Sequence, residues 1–304
     1  MLEIQEVALQ NMFAHSQSKG TKQLYQFILV CGASGVGKSR LCWEACKKIM
    51  SSFSELKLAE NRGKKCGGFS FVHYLFMDFS LAGGISHHEE LKAVQPSVIL
   101  GLHLASSFFL QSHAYKILDA LAIRGQESDI HLFTLDNVAA LIARDLTKPI
   151  ALLWHLDEFH HMQSAIVRDL VAQLGTFMTQ QTQPFISITP LFSGTASIDI
   201  RKALQISKLP DKTIFLQILT RVQYEAIVNE VLKDYPMVIL QTELRHQALQ
   251  QLGDWPRFLD LFCTEFKRSI NVCGPDAQVY FVLVLRRTCD AIKHTYKVDS
   301  CLSP

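Results

Sequence analysis

The chain has 304 residues, of which 48% are hydrophobic and 19% are charged, a balance that supports a buried core and argues against a disordered chain. Its 30 basic and 28 acidic residues leave a formal net charge of +2, so no overall field attracts nucleic acid or an anionic membrane. Eight cysteines occur without a CxxC pair or a regular spacing, which favours reduced thiols in an intracellular, reducing compartment over disulfides or zinc ligands.

The first residues, MLEIQEVALQ, carry acidic side chains where a secretory signal would have basic ones followed by an apolar run. The most apolar stretch, residues 98–110, is too short to cross a membrane and is interrupted by His103, Ser106 and Ser107. We therefore expect no signal peptide and no membrane span, and we expect residues 1–21 to form an N-terminal helical extension.

Apolar runs of strand length alternate with helical patterns between residues 22 and 219, which is the organisation of a parallel α/β sheet. The run IALLWHL is apolar almost throughout, as expected for a strand with both faces covered. We predict an α/β core with a five-stranded, mostly parallel sheet flanked by helices. The predicted strands are 25–31, 69–79, 150–156, 185–193 and 213–218, and the predicted helices are 38–50, 97–112, 135–146 and 164–181.

Strand-like runs stop at Thr220, and four helical patterns follow, separated by Pro236, Gly253 and the Gly274-Pro275 pair. We therefore predict a small α-helical lid domain over residues 220–304. Its helical patterns lie near 220–234, 239–252, 256–270 and 277–294.

The segment CGASGVGKSR, between the first strand and the helix after it, matches the phosphate-binding pattern GxxxxGK[ST]. Backbone N–H groups of such a turn converge on phosphate oxygens where no Cβ intrudes, and the helix N-terminus adds partial positive charge. The motif predicts that Lys38 binds the β- and γ-phosphates and that Ser39 is a Mg²⁺ ligand. The alternative is a glycine turn with a surface lysine, which the flanking strand and helix argue against. The predicted nucleotide-binding residues are Gly32, Ala33, Ser34, Gly35, Val36, Gly37, Lys38, Ser39 and Arg40.

The apolar run at 150–156 ends in Asp157 and Glu158. Because parallel strands end at one edge of a sheet, Asp157 is expected beside the loop, where it completes the Mg²⁺ site with Ser39. The carboxylate that follows resembles that of the catalytic-glutamate branch of phosphate-loop NTPases, which implies that Glu158 polarises the attacking water. The alternative is an acidic pair that caps the next helix.

Two further segments resemble parts of AAA-like ATPases. A polar residue at the end of the fourth strand senses the γ-phosphate in those proteins, which implies this catalytic role for Thr195 or Ser193, although either side chain can instead cap a turn. The segment GDWPRFL resembles their helical lid, which implies that Pro256 approaches the base and that Arg257 reaches the phosphates. Proline in a first helical turn is also common in helices without this function.

The sequence also bears on the base of the nucleotide. Guanine-specific NTPases commonly use an [NT]KxD motif, and the nearest match, Thr147-Lys148-Pro149-Ile150, lacks the aspartate. We therefore expect ATP and Mg²⁺ as the ligands.

The segments CGASGVGKSRLCWEA, LWHLDEFH, LFSGTASIDI and LGDWPRFLDLF together resemble the phosphate-loop NTPase domain of the Crinkler effectors and the retrotransposon hot spot proteins. The resemblance spans about residues 22–270. It implies an ATP-binding domain that accompanies nuclease-like or kinase-like toxin domains. Residues 1–20 depart from the family, because they do not resemble the ubiquitin-like header of a Crinkler.

Two functions are compatible with these patterns. The first is an ATPase that couples hydrolysis to movement of the helical lid, with Glu158 as the base. The second is a nucleotide-gated switch or effector module with little turnover. Expected partners are ATP and either a second copy of the chain or a toxin-like domain, whereas the basic pair Lys47-Lys48 gives nucleic acid little support. The alternative location is that of a secreted effector acting inside a host cell, including its nucleus.

Overall fold

A computed structural model gives the structure of most of the chain. It describes residues 1–16, 22–33, 35–60, 69–79, 95–110, 115–159, 164–180, 184–195, 201–205, 209–217, 220–232, 256–273, 284, 286–288 and 290. The chain divides into two compact units, one formed by residues 1–32 and 38–215 and the other by residues 33–37 and 216–304. The domain boundaries expected from the sequence, at 21/22 and 219/220, stay predictions.

The first unit is built on a five-stranded sheet in the order β2-β3-β4-β1-β5, and every neighbouring pair of strands is parallel. The α/β fold with a flanked five-stranded sheet, predicted from the alternating runs, is confirmed. β4 lies between β1 and β3, an arrangement that depends on contacts distant in the chain. The strands are β1 (Phe27–Cys31), β2 (Phe71–Asp78), β3 (Ile150–Asp157), β4 (Ile186–Gly194) and β5 (Asp211–Phe215).

Helices cover both faces of this sheet. In chain order they are α1 (Leu2–Ser16), α2 (Lys38–Glu60), α3 (Pro96–Ala105), α4 (Tyr115–Ile123), α5 (Leu135–Ala143) and α6 (Ser164–Gln180). The connection from β1 to β2 crosses the sheet in one direction, and those from β2 to β3 and β4 return in the other. Right-handed crossovers therefore put α2 on the opposite face from α3, α5 and α6. α1 packs against α2, and α3 packs against α5 and α6.

The two faces have separate apolar cores. Alternate side chains of a strand point to opposite faces, so Trp154 joins the core under α3, α5 and α6, whereas its near neighbour Ala151 packs with Met12 of α1 and Phe53 of α2. β3 and β4 are buried along their whole length. This burial explains why β3 appears in the sequence as a nearly continuous apolar run, whereas β4 also buries the polar residues Ser187, Thr189 and Ser193.

Several helix limits differ from those predicted. α2 extends to Glu60, and the helix expected over 97–112 is an α-helix only to Ala105, followed by a π-helical segment at Ser106–Leu110. Gly101 allows α3 to approach the chain before α5, because a Cβ at this position would overlap the carbonyl oxygen of Phe133. None of the helices in the described ranges is long and apolar enough to cross a membrane.

α1 is fastened to the sheet by buried polar side chains. The Asn11 amide donates to the Gln26 carbonyl oxygen at 2.9 Å and accepts from the Gln26 backbone N–H at 2.9 Å. The same amide also donates to Thr189 Oγ1 of β4 at 3.3 Å. These bonds satisfy backbone groups just before β1, so α1 is an integral part of the first unit.

The second unit is described over two helices, α7 (Arg221–Leu232) and α8 (Pro256–Cys273). The helix predicted near 239–252 lies outside the described residues, as does most of the one predicted near 277–294.

Candidate functional site

The predicted functional segments after β1, β3 and β4 leave the sheet at the same edge. The strand register pairs Cys31 with Gly194 and Asp157 with both Ser193 and Asp78. All five residues end, or nearly end, parallel strands, so they lie in one row at the carboxyl edge, where ligands bind in open α/β sheets. Because β4 lies between β1 and β3, Ser193 stands between the end of the strand that precedes the glycine loop and the end of the strand that carries Asp157.

The loop after β1 has the backbone that a phosphate-binding turn requires. Gly35 has a φ of 78° and Gly37 a φ of 90°, values that glycine adopts without a Cβ penalty. At Gly37 a built Cβ would meet no atom within 4 Å, so the need for glycine there comes from the backbone angle. α2 begins at Lys38, immediately after this turn. Ser34 lies outside the described residues.

Lys38 is 4% exposed, and its charge interacts with both predicted acidic residues. Burial lowers the pKa of its ammonium group, while the carboxylates of Glu158 and then Asp157 oppose that shift. The Lys38 charge is therefore attracted by the two carboxylates that end β3 and follow it. Ser39 is half-buried in the same helical turn, and Arg40 is exposed.

Asp157 is 5% exposed, and hydrogen bonds fix both its side chain and its backbone. Its Oδ1 accepts a hydrogen bond from Ser193 Oγ, and its carbonyl oxygen accepts one from the Phe79 N–H at 3.0 Å. The carboxylate therefore has a fixed direction at the end of β3.

Glu158 has a φ of 54°, the only positive φ among the described residues other than glycine. Such a backbone costs on the order of 1–2 kcal/mol for a residue with a Cβ. The turn is held by Glu158 N–H, which donates to the Ser193 carbonyl oxygen at 2.8 Å. Its side chain is half-buried. The strained turn directs the chain away from the strand immediately after the buried Asp157.

The two candidate phosphate sensors have different surroundings. Ser193 is completely buried and donates its hydroxyl proton to Asp157. Thr195, directly after β4, is exposed. Because the Ser193 proton is already committed, the hydroxyl that remains at this strand end is that of Thr195.

Two residues near Asp157, His155 and Tyr74, carry no functional signal in the sequence. His155 Nε2 lies 2.7 Å from Ser193 Oγ, and His155 Nδ1 lies 2.7 Å from the Tyr74 hydroxyl. Burial lowers the pKa of His155 to about 4, against the carboxylates of Asp157 and Asp78, so the imidazole is neutral near pH 7. The i, i+2 spacing of His155 and Asp157 puts them on one strand face, but their partners depend on the strand order.

The predicted lid residues belong to the second unit. Pro256 is the first residue of α8 and is half-buried, and Arg257 follows it in the helix. Proline suits this position because a first-turn N–H has no partner within the helix. Their roles toward the base and the phosphates stay predictions.

Comparisons with known proteins give a fold but no family. No family model matches the sequence, and no curated protein matches it. Among solved structures, the chain is similar to the Aeropyrum pernix Orc1 protein in complex with DNA, with a TM-score of 0.52, 13% identity, and 97% of this chain and 66% of that chain covered. The chain has an α/β fold of the phosphate-loop type. The similarity to C. elegans PCH-2 has a TM-score of 0.49 and 12% identity, covering 95% of this chain and 68% of that chain. At such identities the likeness shows the fold alone, and this chain spans about 66% of the Orc1 chain.

The residues present suit a nucleotide and Mg²⁺. Left-handed glycines before a helix N-terminus leave backbone N–H groups free of Cβ obstruction, and Lys38 adds a cation. The Ser39 hydroxyl and the Asp157 carboxylate are the hard oxygen donors that Mg²⁺ prefers. The donor set therefore fits both predicted ligands.

Proposed function

We propose that this chain binds ATP with Mg²⁺ at the carboxyl edge of its sheet and hydrolyses the γ-phosphate. The observation that carries the proposal is the buried Lys38 ammonium, which interacts with the carboxylates of Glu158 and Asp157 directly after a glycine turn of positive φ. The proposed metal ligand and base end and follow β3, and the proposed phosphate-binding turn follows β1, at the same edge of one sheet.

Each residue has a role that its surroundings support. The glycine turn and the start of α2 hold the phosphates through backbone N–H groups, and Lys38 balances the β- and γ-phosphate charge. Ser39 and Asp157 would hold Mg²⁺, which when bound neutralises charge that develops on the phosphates. Glu158 accepts a proton from the attacking water, and Thr195 orients the γ-phosphate.

The fold also argues against a guanine-reading role for residues 147–149. Residues 147–149, the nearest match to a guanine-reading motif, come directly before β3, which begins at Ile150. In a parallel sheet the start of a strand lies at the amino edge, opposite the edge that carries the phosphate loop. A guanine base on a nucleotide held by this loop would have no partner from that segment.

Turnover and binding can be separated by variants of two residues. Lys38→Ala is expected to weaken ATP binding by at least about 10-fold, whereas Glu158→Gln keeps ATP affinity and lowers turnover by on the order of 100-fold or more. Lys48→Ala, at an exposed position of the same helix, is the matched control. Isothermal titration and phosphate release give the two quantities.

Two results would contradict the proposal. If wild type and Glu158→Gln bind ATP tightly with equally negligible turnover, the chain is a nucleotide-gated switch. If Lys38→Ala binds ATP as well as wild type, neither function holds.

We also propose that residues 220–304 act as a lid, with Pro256 and Arg257 turning toward the nucleotide. The support is the GDWPRFL segment and the start of α8 at its proline. Hydrogen–deuterium exchange with and without ATP tests it: slower exchange in α7 and α8 is expected in the Glu158→Gln protein with ATP. Unchanged exchange in both helices would overturn the lid.

The biological setting is proposed from resemblance alone. The four quoted segments support an NTPase module of a Crinkler-like effector, which would act on a toxin-like domain or a second copy of itself. If the chain acts on a second copy of itself, ATP should change its oligomeric state. The molar mass of Glu158→Gln in solution, with and without ATP, measures this change. DNA binding, suggested by the Orc1 complex with DNA, is tested in the same samples with a labelled duplex.

A further inference from the structure

A chain of hydrogen bonds crosses three strands and ends on Asp157. It runs from the Tyr74 hydroxyl on β2 to His155 Nδ1 on β3 at 2.7 Å, and from His155 Nε2 to Ser193 Oγ on β4 at 2.7 Å. The last bond joins Ser193 Oγ to Asp157 Oδ1. His155 and Ser193 have no solvent-exposed surface, so water is excluded from the bond between them and from the bond to Asp157, while the Tyr74–His155 bond is partly buried.

The direction of the bonds follows from counting protons. A carboxylate only accepts, so Ser193 donates its single hydroxyl proton to Asp157 and its oxygen accepts from His155 Nε2–H. A neutral imidazole then has a bare Nδ1, which accepts from the Tyr74 O–H. All three donors point toward the Asp157 carboxylate, and bonds aligned in this way polarise one another in a low-dielectric interior.

Ser193, in this chain of bonds, also lies near α2, the helix that follows the predicted phosphate loop. Burial raises the pKa of the Cys42 thiol, and the nearby Ser193 side chain opposes that shift; Cys42 lies four residues after Lys38 on α2. One turn of helix therefore separates the bonded group from the predicted phosphate-binding lysine.

Deleting one member would leave a buried polar group without a partner, which destabilises the fold. Apolar side chains at these positions would fill the same space and would carry no polar group that needs a partner. The arrangement does one thing that apolar packing cannot do: it fixes Asp157 Oδ1 and leaves the other carboxylate oxygen with a set direction. Partners of this kind commonly govern the metal affinity of the ligand that they orient.

We propose that Tyr74, His155 and Ser193 are positioning residues that orient Asp157 for Mg²⁺ and so set the metal affinity of the site. This proposal rests on the proposed function, since it assigns the metal to Asp157. None of the three residues touches the nucleotide in this role, and Thr195 keeps the sensing role.

The test is Mn²⁺ binding, followed by electron paramagnetic resonance, in proteins that also carry Glu158→Gln and are saturated with ATP. Tyr74→Phe and His155→Gln are each expected to weaken Mn²⁺ binding about 10-fold, with metal-free ATP affinity unchanged. The double variant should lose less than the product of the two effects, because both act through one chain of bonds.

Thr189→Val is the matched control. It removes a buried hydrogen-bonding hydroxyl from the same face of β4, where Thr189 Oγ1 accepts from Asn11 at 3.3 Å. It is expected to lower stability without changing Mn²⁺ affinity. A general loss of packing would instead weaken Mn²⁺ binding in this control as well.

Mn²⁺ affinity equal to wild type in folded Tyr74→Phe would overturn the positioning role while leaving the ATPase proposal intact. Tyr74→Phe removes one oxygen only, so it decides the matter even where His155→Gln does not fold. A parent protein that binds neither ATP nor Mn²⁺ would overturn the proposed function and this inference together.

Discussion

The Glu158 backbone N–H donates to the Ser193 carbonyl oxygen at 2.8 Å, which ties the end of β3 to the end of β4. This bond holds Glu158 in the left-handed region, at a φ of 54°. The candidate base is therefore placed by a strained backbone and a neighbouring strand. Stability and function should conflict at this position.

Replacing Glu158 by glycine should be less destabilising than replacing it by alanine. Both variants lose the carboxylate and its interactions, but only alanine keeps the Cβ that opposes a positive φ. We expect Glu158→Gly to be more stable than Glu158→Ala by about 1 kcal/mol, and both to lack ATP turnover. Urea unfolding gives the difference, and an alanine variant as stable as the glycine variant would show that the backbone relaxes.

Gly194 should not tolerate a side chain. A Cβ there would lie 2.7 to 3.1 Å from three ring atoms of Phe159, which follows the candidate base. We expect Gly194→Ala to cost about 1–3 kcal/mol of stability and to lower turnover more than ATP affinity, because the ring displaces Glu158.

Gly175→Ala is the control for this prediction. Its Cβ would meet the tip of the Leu209 side chain at 2.6 Å, and a methyl group at the end of a flexible chain can move aside. The control should lose less stability and keep its turnover. Equal losses of turnover in the two variants would mean that Phe159 does not transmit the effect.

Local patterns predicted the parts of the site that depend on adjacent residues. Gly37, Lys38 and Ser39 share one turn, and Asp157 ends an apolar run, so both features are visible within a few residues of sequence. The confirmed α/β fold is visible in the same way, as alternating runs. The roles assigned to these residues stay predictions.

The remaining features depend on contacts that are distant in the chain. Tyr74 and His155 meet only because β2 lies beside β3 in one register, with Phe76 opposite His155. Ser193 reaches Asp157 because β4 is inserted between β1 and β3. No periodicity encodes strand order, so an isolated histidine in an apolar run gave no signal of its partners.

Gly37→Ala should weaken ATP binding, and Gly125→Ala is the control that separates this effect from backbone strain. Gly37 has a φ of 90° and Gly125 a φ of 64°, and neither Cβ would meet an atom within 4 Å. Each substitution should therefore cost about 1–2 kcal/mol of backbone strain. Only Gly37→Ala should weaken ATP binding, by at least about 10-fold, because its N–H belongs to the predicted phosphate turn. Equal ATP affinity in both variants would contradict the loop assignment.

Acidification should destabilise the native chain partly through His15. A ring nitrogen of His15 lies 2.9 Å from the Pro184 carbonyl oxygen, and burial lowers its pKa below the ordinary value of 6.5. The unfolded chain therefore binds a proton more readily, so the stability from neutral His15 is complete above about pH 6.5 and declines as pH falls toward the folded pKa.

His15→Gln keeps a donor for Pro184 but does not titrate. Its unfolding free energy should fall less steeply between pH 6.5 and 5 than that of wild type, by at most about 1.4 kcal/mol per pH unit for one proton. His73 and His155, whose pKa values burial also lowers, leave a slope in the variant. Urea unfolding at several pH values measures both curves, and parallel curves would mean that His15 is protonated equally in the folded and unfolded chains.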